Sequence, residues 1–416
     1  MSEEHTAPKE SNMKIALFTE TYYPFINGVI SHVETLRNCL EKQGHTVLIV
    51  TAAPGTREQR LQNNVLYCPA HAIKKAYGYG LANPYNLKRL AIIRDFDPDV
   101  LHVHTEFGIG VFGRFCAKRL RKPMVYTLHT MYDEYVYYMF PGKTAPVAKI
   151  AMRRHINGMA KSAAQVVSPS NKVASYLSDS NASLKVSVIP NTVDLAKFYA
   201  NNVNPAQVTA VKNKLGIAED DISLCFVGRM GNEKSVDVLI EYFAKAATDS
   251  HFKLFLIGDG PEREKLEHLI KQLGIQEQVK LLGRIEHEEM PVYYQAFDLY
   301  TTASLTEMNS ISFLEASASG LYTLQRLDEA NRDQISPGEN GDVFSNPDDF
   351  AELLHEYATQ NTVQRLKTRT RVVNYAANYG TAEFSDRILQ IYSSAISKPD
   401  IGRFSETLSG SSCEIH

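Results

Sequence analysis

The feature that most constrains this chain is a strand–turn–helix–strand rhythm that it runs through twice. Lys14–Thr19 (KIALFT) is a short apolar run, and a turn containing Pro24 and Asn27-Gly28 follows it. Between Ser31 and Gln43, Val33, Leu36, Cys39 and Leu40 recur at helical spacing. Gly44 ends that stretch, and His45–Thr51 (HTVLIVT) reads as the next strand. Strand, glycine turn, helix and strand make a βαβ unit, which demands a parallel sheet with helices over its faces. The pattern continues through Val100–His104, a helix rich in Arg and Lys, Met124–Leu128, Gln165–Ser168 and Val186–Ile189. After a polar stretch near residue 200 (AKFYANNVNPAQ) a second series begins. It comprises strands at Ser223–Val227, Lys253–Ile257, Val279–Leu282, Leu299–Thr302 and Tyr322–Gln325, with helices from Val236, from Glu262 and over Ser310–Ser319.

The expected fold class is therefore α/β, with two Rossmann-like, doubly wound domains. Such domains hold ligands beyond the C-terminal ends of their strands, so a tandem pair is expected to face a central cleft. The expected boundaries are a disordered leader at 1–12, a first domain at 13–200, a linker at 201–218 and a second domain at 219–378. A last helix at 379–397 is expected to pack back on the first domain, with a disordered tail at 398–416. Hydrophobic residues make up 44% of the 416 and charged residues 22%, the ordinary globular range.

Composition narrows the function classes. The cysteines, Cys39, Cys68, Cys116, Cys225 and Cys413, are widely spaced and form no CxxC pair. Neither a structural zinc site nor a disulfide framework is expected, and a reducing cytosol fits best. The opening MSEEHTAPKESNMKI lacks the basic-then-apolar pattern of a signal peptide, and no apolar run is long enough to span a bilayer. The formal charge of −3 hides an asymmetry. Residues 1–200 hold 24 Lys and Arg against 15 Asp and Glu, whereas residues 201–416 hold 20 against 32. A basic first half directs attention to an anionic surface or ligand there.

Four segments carry chemistry. In LTEMNSISFLEASASG, Glu307 stands in the loop before a helix and Glu315 within its body, seven residues intervening. A helix start favours phosphate, and carboxylates flanking it can bind sugar hydroxyls, although a surface helix with two acids would look the same. FVGRMGNEK ends a strand and delivers Arg229 and Lys234, a bidentate fork and a point charge suited to a diphosphate. Asn27-Gly28-Val29 permits close backbone approach to a phosphate, or simply makes a tight turn. YTLHT sets His129 at a strand end, where a lone histidine is open to a structural reading as well.

Together these segments resemble the retaining family 4 glycosyltransferases of GT-B fold, over about residues 13–395. The elements that carry the resemblance are Glu307 and Glu315, Arg229 and Lys234, IPNTVDLAKF (Ile189–Phe198) and GENG (Gly338–Gly341), in that family's order. The resemblance implies that the second domain binds a nucleotide sugar and the first binds the acceptor. It implies a catalytic set of His129, Glu307, Arg229 and Lys234. Arg229 and Lys234 would neutralise the donor diphosphate as it leaves, Glu307 would hold the transferred sugar and Glu315 the ribose. The backbone of Asn309, Ser310 and Ile311 would contact sugar and phosphate, Gly28 would approach the diphosphate and His129 would hydrogen-bond the sugar. No carboxylate stands out as a nucleophile, so front-face transfer is implied. No cofactor is expected and no metal, since no supported DxD is present. Two positions depart from the pattern: Ser310, where glycine is usual, and Tyr322, where proline is usual.

Within the family, FTETYYPFINGV, VLHVHTEFGIGVFGR and YTLHTMYDEYVYY most resemble bacterial diacylglycerol glucosyltransferases and related glycolipid synthases. This implies a hexosyltransferase, using a UDP-sugar such as UDP-glucose, that works on a membrane lipid acceptor at the inner face of the cell membrane. Tyr132, Tyr135, Tyr137 and Tyr138 would line the acceptor region. Lys74, Lys75, Lys88 and Arg89, interleaved with Tyr77, Tyr79 and Tyr85, would meet an anionic membrane surface, although the same residues suit a solvated helix face. No nucleic-acid module is present. A polysaccharide, teichoic-acid or protein acceptor stays open, as does a non-catalytic partner that kept only the fold. The oligomeric state is not legible.

Overall fold

A computed structural model describes residues 12–23, 25, 27–73, 80–130, 144–178, 184–247, 249–307, 309–328 and 334–397. The first sheet is built from β1 (Lys14–Thr19), β2 (Thr46–Pro54), β3 (Arg60–Gln62), β4 (Val65–Ala72), β5 (Gly80–Ala82), β6 (Val100–Val103), β7 (Met124–Thr127), β8 (Gln165–Ser168) and β9 (Val186–Val188). Their order is β3-β4-β2-β1-β6-β7-β8-β9, with β5 also on β4. Pairing is parallel from β4 through β9, while β3 and β5 run antiparallel to β4. The order reverses at β1, whose neighbours are β2 and β6, so the ligand-binding switch point of this sheet lies beyond Thr19 and Val103.

The second sheet contains β10 (Ile222–Val227), β11 (Phe252–Ile257), β12 (Val279–Gly283), β13 (Leu299–Thr302), β14 (Tyr322–Arg326) and β15 (Gly341–Phe344). The order is β12-β11-β10-β13-β14-β15, all parallel, with its switch point at β10. Alternate residues of one strand serve opposite faces, as strand geometry requires. Ile222, Leu224 and Phe226 join one core with Leu239 and Phe243, whereas Cys225 joins the other with Phe255, Tyr294 and Phe313. Both faces are thus covered by helices, which is why these strands are continuous apolar runs.

The chain divides into two units. One takes the chain as far as Ser168, Tyr176–Ile189 and the chain from Ser385 on; the other takes Pro169–Ser175 and Pro190–Phe384. The final helix, Thr381–Ser397, buries Ile388, Leu389, Tyr392 and Ala395 on one stripe, and the Tyr392 hydroxyl lies 2.7 Å from His102 Nδ1. Arg387 donates to the Val188 carbonyl at 2.6 Å.

The expectation of a linker at 201–218 is corrected. Pro205–Leu215 is a helix capped at its start by the Asn204 side chain and at its end by Gly216 in the left-handed region. Leu215 and Ile217 are buried in the second unit's core. Its polar sequence reflects a helix with one narrow apolar edge, which reads as loop when that edge is short. None of the described helices is long and apolar enough to cross a membrane.

Candidate active site

The loops after β10, β11 and β13 build the second unit's site. Beyond Val227 the chain runs against the loop after β11: Gly228 N–H donates to Ile257 O at 3.0 Å, Met230 N–H to Asp259 O at 2.9 Å, and Glu262 N–H to Met230 O at 3.0 Å. This zipper needs glycine opposite it. Gly258 has φ +130°, and a Cβ there would sit 1.9 Å from the Gly228 carbonyl oxygen. The result is a fixed path for the segment that carries Arg229 and Lys234.

Each cation is paired with a carboxylate. Arg229 Nε donates to Glu233 Oε1 at 3.1 Å, with a second contact from Nη2, and Glu233 is 6% exposed. Lys234 Nζ is ion-paired with Glu307. The backbone carbonyl of Glu233 accepts from Thr306 Oγ1 at 3.0 Å and from Ser304 Oγ at 3.4 Å. Those bonds tie the loop after β13 to the loop after β10, which is what brings Glu307 to Lys234.

The helix Ile311–Ala318 begins beside this pair. Ser310 is its N-cap, its side chain accepting from Phe313 N–H. The departure from glycine at this position is therefore a capping choice of the kind that stabilises a helix start. Ser310 Oγ, Ser312 Oγ and Tyr300 OH are linked in sequence at 3.0 Å each. Asn309 Oδ1 accepts from Asn191 N–H at 3.0 Å, and Asn191 Nδ2 returns a bond to Asn309 O at 2.8 Å, so IPNTV holds the loop before the helix. Lys172 adds a bond to Leu305 O at 2.8 Å. The other departure, Tyr322, stands at the start of β14 and donates to Asp342. It is a packing residue at the sheet end opposite the site.

Glu315 is 4% exposed and both oxygens are engaged: Oε1 lies 2.8 Å from His287 Nε2, and Oε2 accepts from Tyr294 OH at 3.1 Å. The hydrogen bond to Glu315 raises the His287 pKa above its usual value, against burial. A raised histidine pKa contributes stability that is complete below the unfolded value of about 6.5 and is lost as pH rises through the folded value. The difference in thermal midpoint between the wild type and His287→Gln is thus expected to be largest below about pH 6.5 and to shrink as pH rises. A difference that grows with pH would refute this pairing.

In the first unit, Gly28 opens the helix Gly28–Lys42, capped by the Asn27 side chain accepting from Ile30 N–H at 3.0 Å. The helix starts three residues before its expected position because Asn27 is a cap. His129 follows β7, partly buried, and its Nε2 lies 3.1 Å from His104 Nδ1. Burial lowers the pKa of His102, His104 and His129 well below the usual value, with neighbouring histidines adding to the effect.

Lys88 is exposed, but Arg89 is corrected as a surface residue. It is 2% exposed, donates from Nη1 to Asn83 O at 2.9 Å and stands over the Phe112 ring. An arginine on a short helix can turn inward when a carbonyl and an aromatic face satisfy it. Lys74, Lys75, Tyr132, Tyr135, Tyr137 and Tyr138 lie outside the described residues. Sequence reasoning missed Glu233, Gly258, His287 and Tyr294. Only the GDG after β11 left a local signal, a Gly-x-Gly at a strand end.

A doubly wound unit with a cation–carboxylate cluster at its switch point, joined in one chain to another doubly wound unit, is the frame of a glycosyltransferase. The chain matches the model described as Glycosyltransferase Family 4 over residues 26–197 and that described as Glycosyl transferases group 1 over residues 207–379. It belongs to the glycosyltransferases of this family and has the GT-B fold.

Among its relatives is the alpha-monoglucosyldiacylglycerol synthase of Acholeplasma laidlawii, 32% identical, covering 82% of this chain and 88% of the relative. The enzyme of the same name from Streptococcus pneumoniae is 29% identical, covering 83% and 78%. Similar solved structures include Anabaena HepE in complex with UDP and glucose, at TM-score 0.71 and 17% identity, covering 92% of this chain and 100% of that one. WaaG, a glycosyltransferase involved in lipopolysaccharide biosynthesis, superposes at TM-score 0.65 and 18% identity, covering 91% and 99%.

Proposed function

We propose that this protein is a retaining hexosyltransferase that moves glucose from UDP-glucose to diacylglycerol or a glycosylated diacylglycerol. The observation that carries the reading is the cluster of Arg229, Glu233, Lys234 and Glu307 on two loops tied to each other at the second unit's switch point. Two relatives named as alpha-monoglucosyldiacylglycerol synthases support glucose as the transferred sugar and diacylglycerol as the acceptor. An alpha product from an alpha-linked nucleotide sugar is retention.

In this reading Arg229 and Lys234 stabilise the charge that develops on the leaving diphosphate. Their carboxylate partners, Glu233 and Glu307, hold them in place before the donor arrives, so little reorganisation accompanies reaction. The N-terminal amides of the helix capped by Ser310 add partial positive charge towards the phosphates. Glu307 contacts the transferred sugar and Glu315 the ribose, His287 and Tyr294 fixing the Glu315 carboxylate. His129 donates to the sugar, and Gly28 lets backbone approach the diphosphate. The bond from the anomeric carbon to the phosphate oxygen breaks and that to the acceptor oxygen forms on the same face. The acceptor proton passes to a phosphate oxygen. These side chains carry the diphosphate charge without a metal or cofactor at that position.

Membrane attachment from the cytoplasmic side is part of the proposal. Exposed Tyr85 and Leu87 stand beside Lys88, and exposed Val147 and Ile150 share the helix Ala145–Ser162 with exposed Arg153 and Arg154. Apolar side chains among cations suit an anionic leaflet, at about 1 kcal/mol per basic residue near the surface. The test supplies radiolabelled UDP-glucose with diacylglycerol in anionic vesicles. Lipid-extractable label that is alkali-stable and released by an alpha-glucosidase is expected. Label that appears on a soluble, polysaccharide or protein acceptor instead would overturn the acceptor, and no transfer to any acceptor would leave a binding protein.

A further inference from the structure

The segment that carries Glu307 is held at both ends by residues far from it in the sequence. Lys172 stands in the first turn of the helix Asn171–Ser178, and Asn191 follows β9. Both lie in stretches, Pro169–Ser175 and the chain from Pro190, that belong to the second unit, although β8 and β9 beside them in the sequence belong to the first. Asn191 exchanges two hydrogen bonds with Asn309. At the other end, Lys172 Nζ donates to Leu305 O and to Asp328 Oδ2, at 2.8 Å each.

We propose that Lys172 is a positioning residue for the transferred sugar: by tying Leu305 to Asp328 it fixes the path of the chain into Glu307, and so the place of the Glu307 carboxylate. The inference rests on the reading of Glu307 as the group that meets the sugar. Three observations carry it. Leu305 and Asp328 each stand three residues beyond Thr302 and Gln325, the last registered pair of β13 and β14. The ladder has ended there, and one ammonium group joins the two loops instead. Second, the ion pair is shielded, with side-chain exposures of 10% and 12%. A charge-assisted bond with water largely excluded fixes geometry in a way that an exposed pair does not. Third, the Leu305 side chain is exposed, so its backbone carbonyl rather than packing anchors this end of the loop.

The other ties of this loop act from a different side. Thr306 Oγ1 and Ser304 Oγ bond the Glu233 carbonyl, which sets the loop against the segment that carries Arg229 and Lys234. Lys172 acts from the β14 side. Without it the Lys234–Glu307 ion pair, the Arg229–Glu233 pair and the bonds of Glu315 to His287 and Tyr294 all keep their own partners. What is lost is the second fixed point of the Glu307 loop. A displacement of about 1 Å in a positioning contact can cost about a hundredfold in rate. The loss therefore falls on the sugar and spares the nucleotide.

The test is calorimetric titration of the full chain with UDP and with UDP-glucose, without acceptor. Lys172→Ala is expected to weaken UDP-glucose about tenfold while UDP stays within about twofold, and Lys172→Arg to recover most of the loss. In a Glu307→Ala background, Lys172→Ala is expected to add less than about twofold, the coupling that marks a residue acting through another. Lys280→Met removes a lysine-to-carbonyl bond of the same kind, to Leu215 O at 3.0 Å, and is expected to change neither affinity. Equal losses of UDP and UDP-glucose, or additive losses with Glu307→Ala, would overturn the positioning role. Hydrogen exchange of the ligand-free chain separates this from the donor reading. Peptides spanning Ser304–Glu307 are expected to exchange faster in Lys172→Ala and to regain protection in Lys172→Arg. Unchanged exchange there overturns the clamp whatever the donor. Faster exchange, in a chain whose wild type binds UDP-glucose no better than UDP, upholds the clamp and sinks glucose as the transferred sugar.

Discussion

Replacing Lys234 with alanine is expected to lower glucosyl transfer by about a hundred- to a thousand-fold, the effect of removing one preorganised group that stabilises developing negative charge. The structure adds a distinction. Lys234 and Glu307 are one ion pair with side-chain exposures of 21% and 14%, yet the proposed roles differ: one meets the diphosphate, the other the sugar. Lys234→Ala is therefore expected to weaken the binding of UDP itself. Glu307→Ala is expected to abolish transfer with UDP binding kept within a few fold. Calorimetric titration with UDP, alongside turnover of UDP-glucose, reads both. Full turnover in the Lys234 variant, or equal loss of UDP affinity in both variants, would contradict the assignment.

The second large effect belongs to the last helix. Tyr392 is fully buried, and its hydroxyl lies against His102 in the middle of the first sheet. Tyr392→Phe keeps the ring and strands one buried imidazole nitrogen, at about 1–3 kcal/mol. Tyr392→Ala also opens a cavity and is expected to cost about 3–5 kcal/mol. Hydrogen exchange localises the loss: the amides of β6 and β7 should lose protection while those of β10 and β11 keep theirs. Unchanged protection of β6 in Tyr392→Ala would show that the helix does not support that sheet.

The strands were legible because parallel sheets bury both faces, and runs such as KIALFT and KLFLI have no other reading in a βαβ series. Lys14–Thr19, Gln165–Ser168 and Leu299–Thr302 fall on their expected bounds. β3 and β5 escaped notice because they are three-residue antiparallel strands with little apolar signal; the parallel strands β4, interrupted by Pro69, and β15, opened by Gly341-Asp342, were missed as well. The helix at Pro205–Leu215 was hidden by its polar surface. Motif order exposed Arg229, Lys234, Glu307 and Glu315, since each lies in one continuous segment with its own spacing. Glu233 and His287 were not legible as partners: their importance comes from ion pairs and hydrogen bonds that spacing does not record. The inward turn of Arg89 and the hold of Lys172 on Leu305 and Asp328 likewise depend on contacts that spacing does not show.

The return of the final helix to the first sheet has a consequence for biosynthesis. Residues from Ser385 on belong with the unit that the ribosome makes first. That unit's sheet is finished at β9, but the side chain that closes over His102 emerges only after the whole of the second unit has been made. The early unit must wait, with the His102 face uncovered, for roughly ten to forty seconds at synthesis rates of about 5–20 residues per second. Its nascent form is the stage most open to chaperones and proteases, and a ribosome that stops short of Ser385 leaves the older half incomplete and the younger half whole.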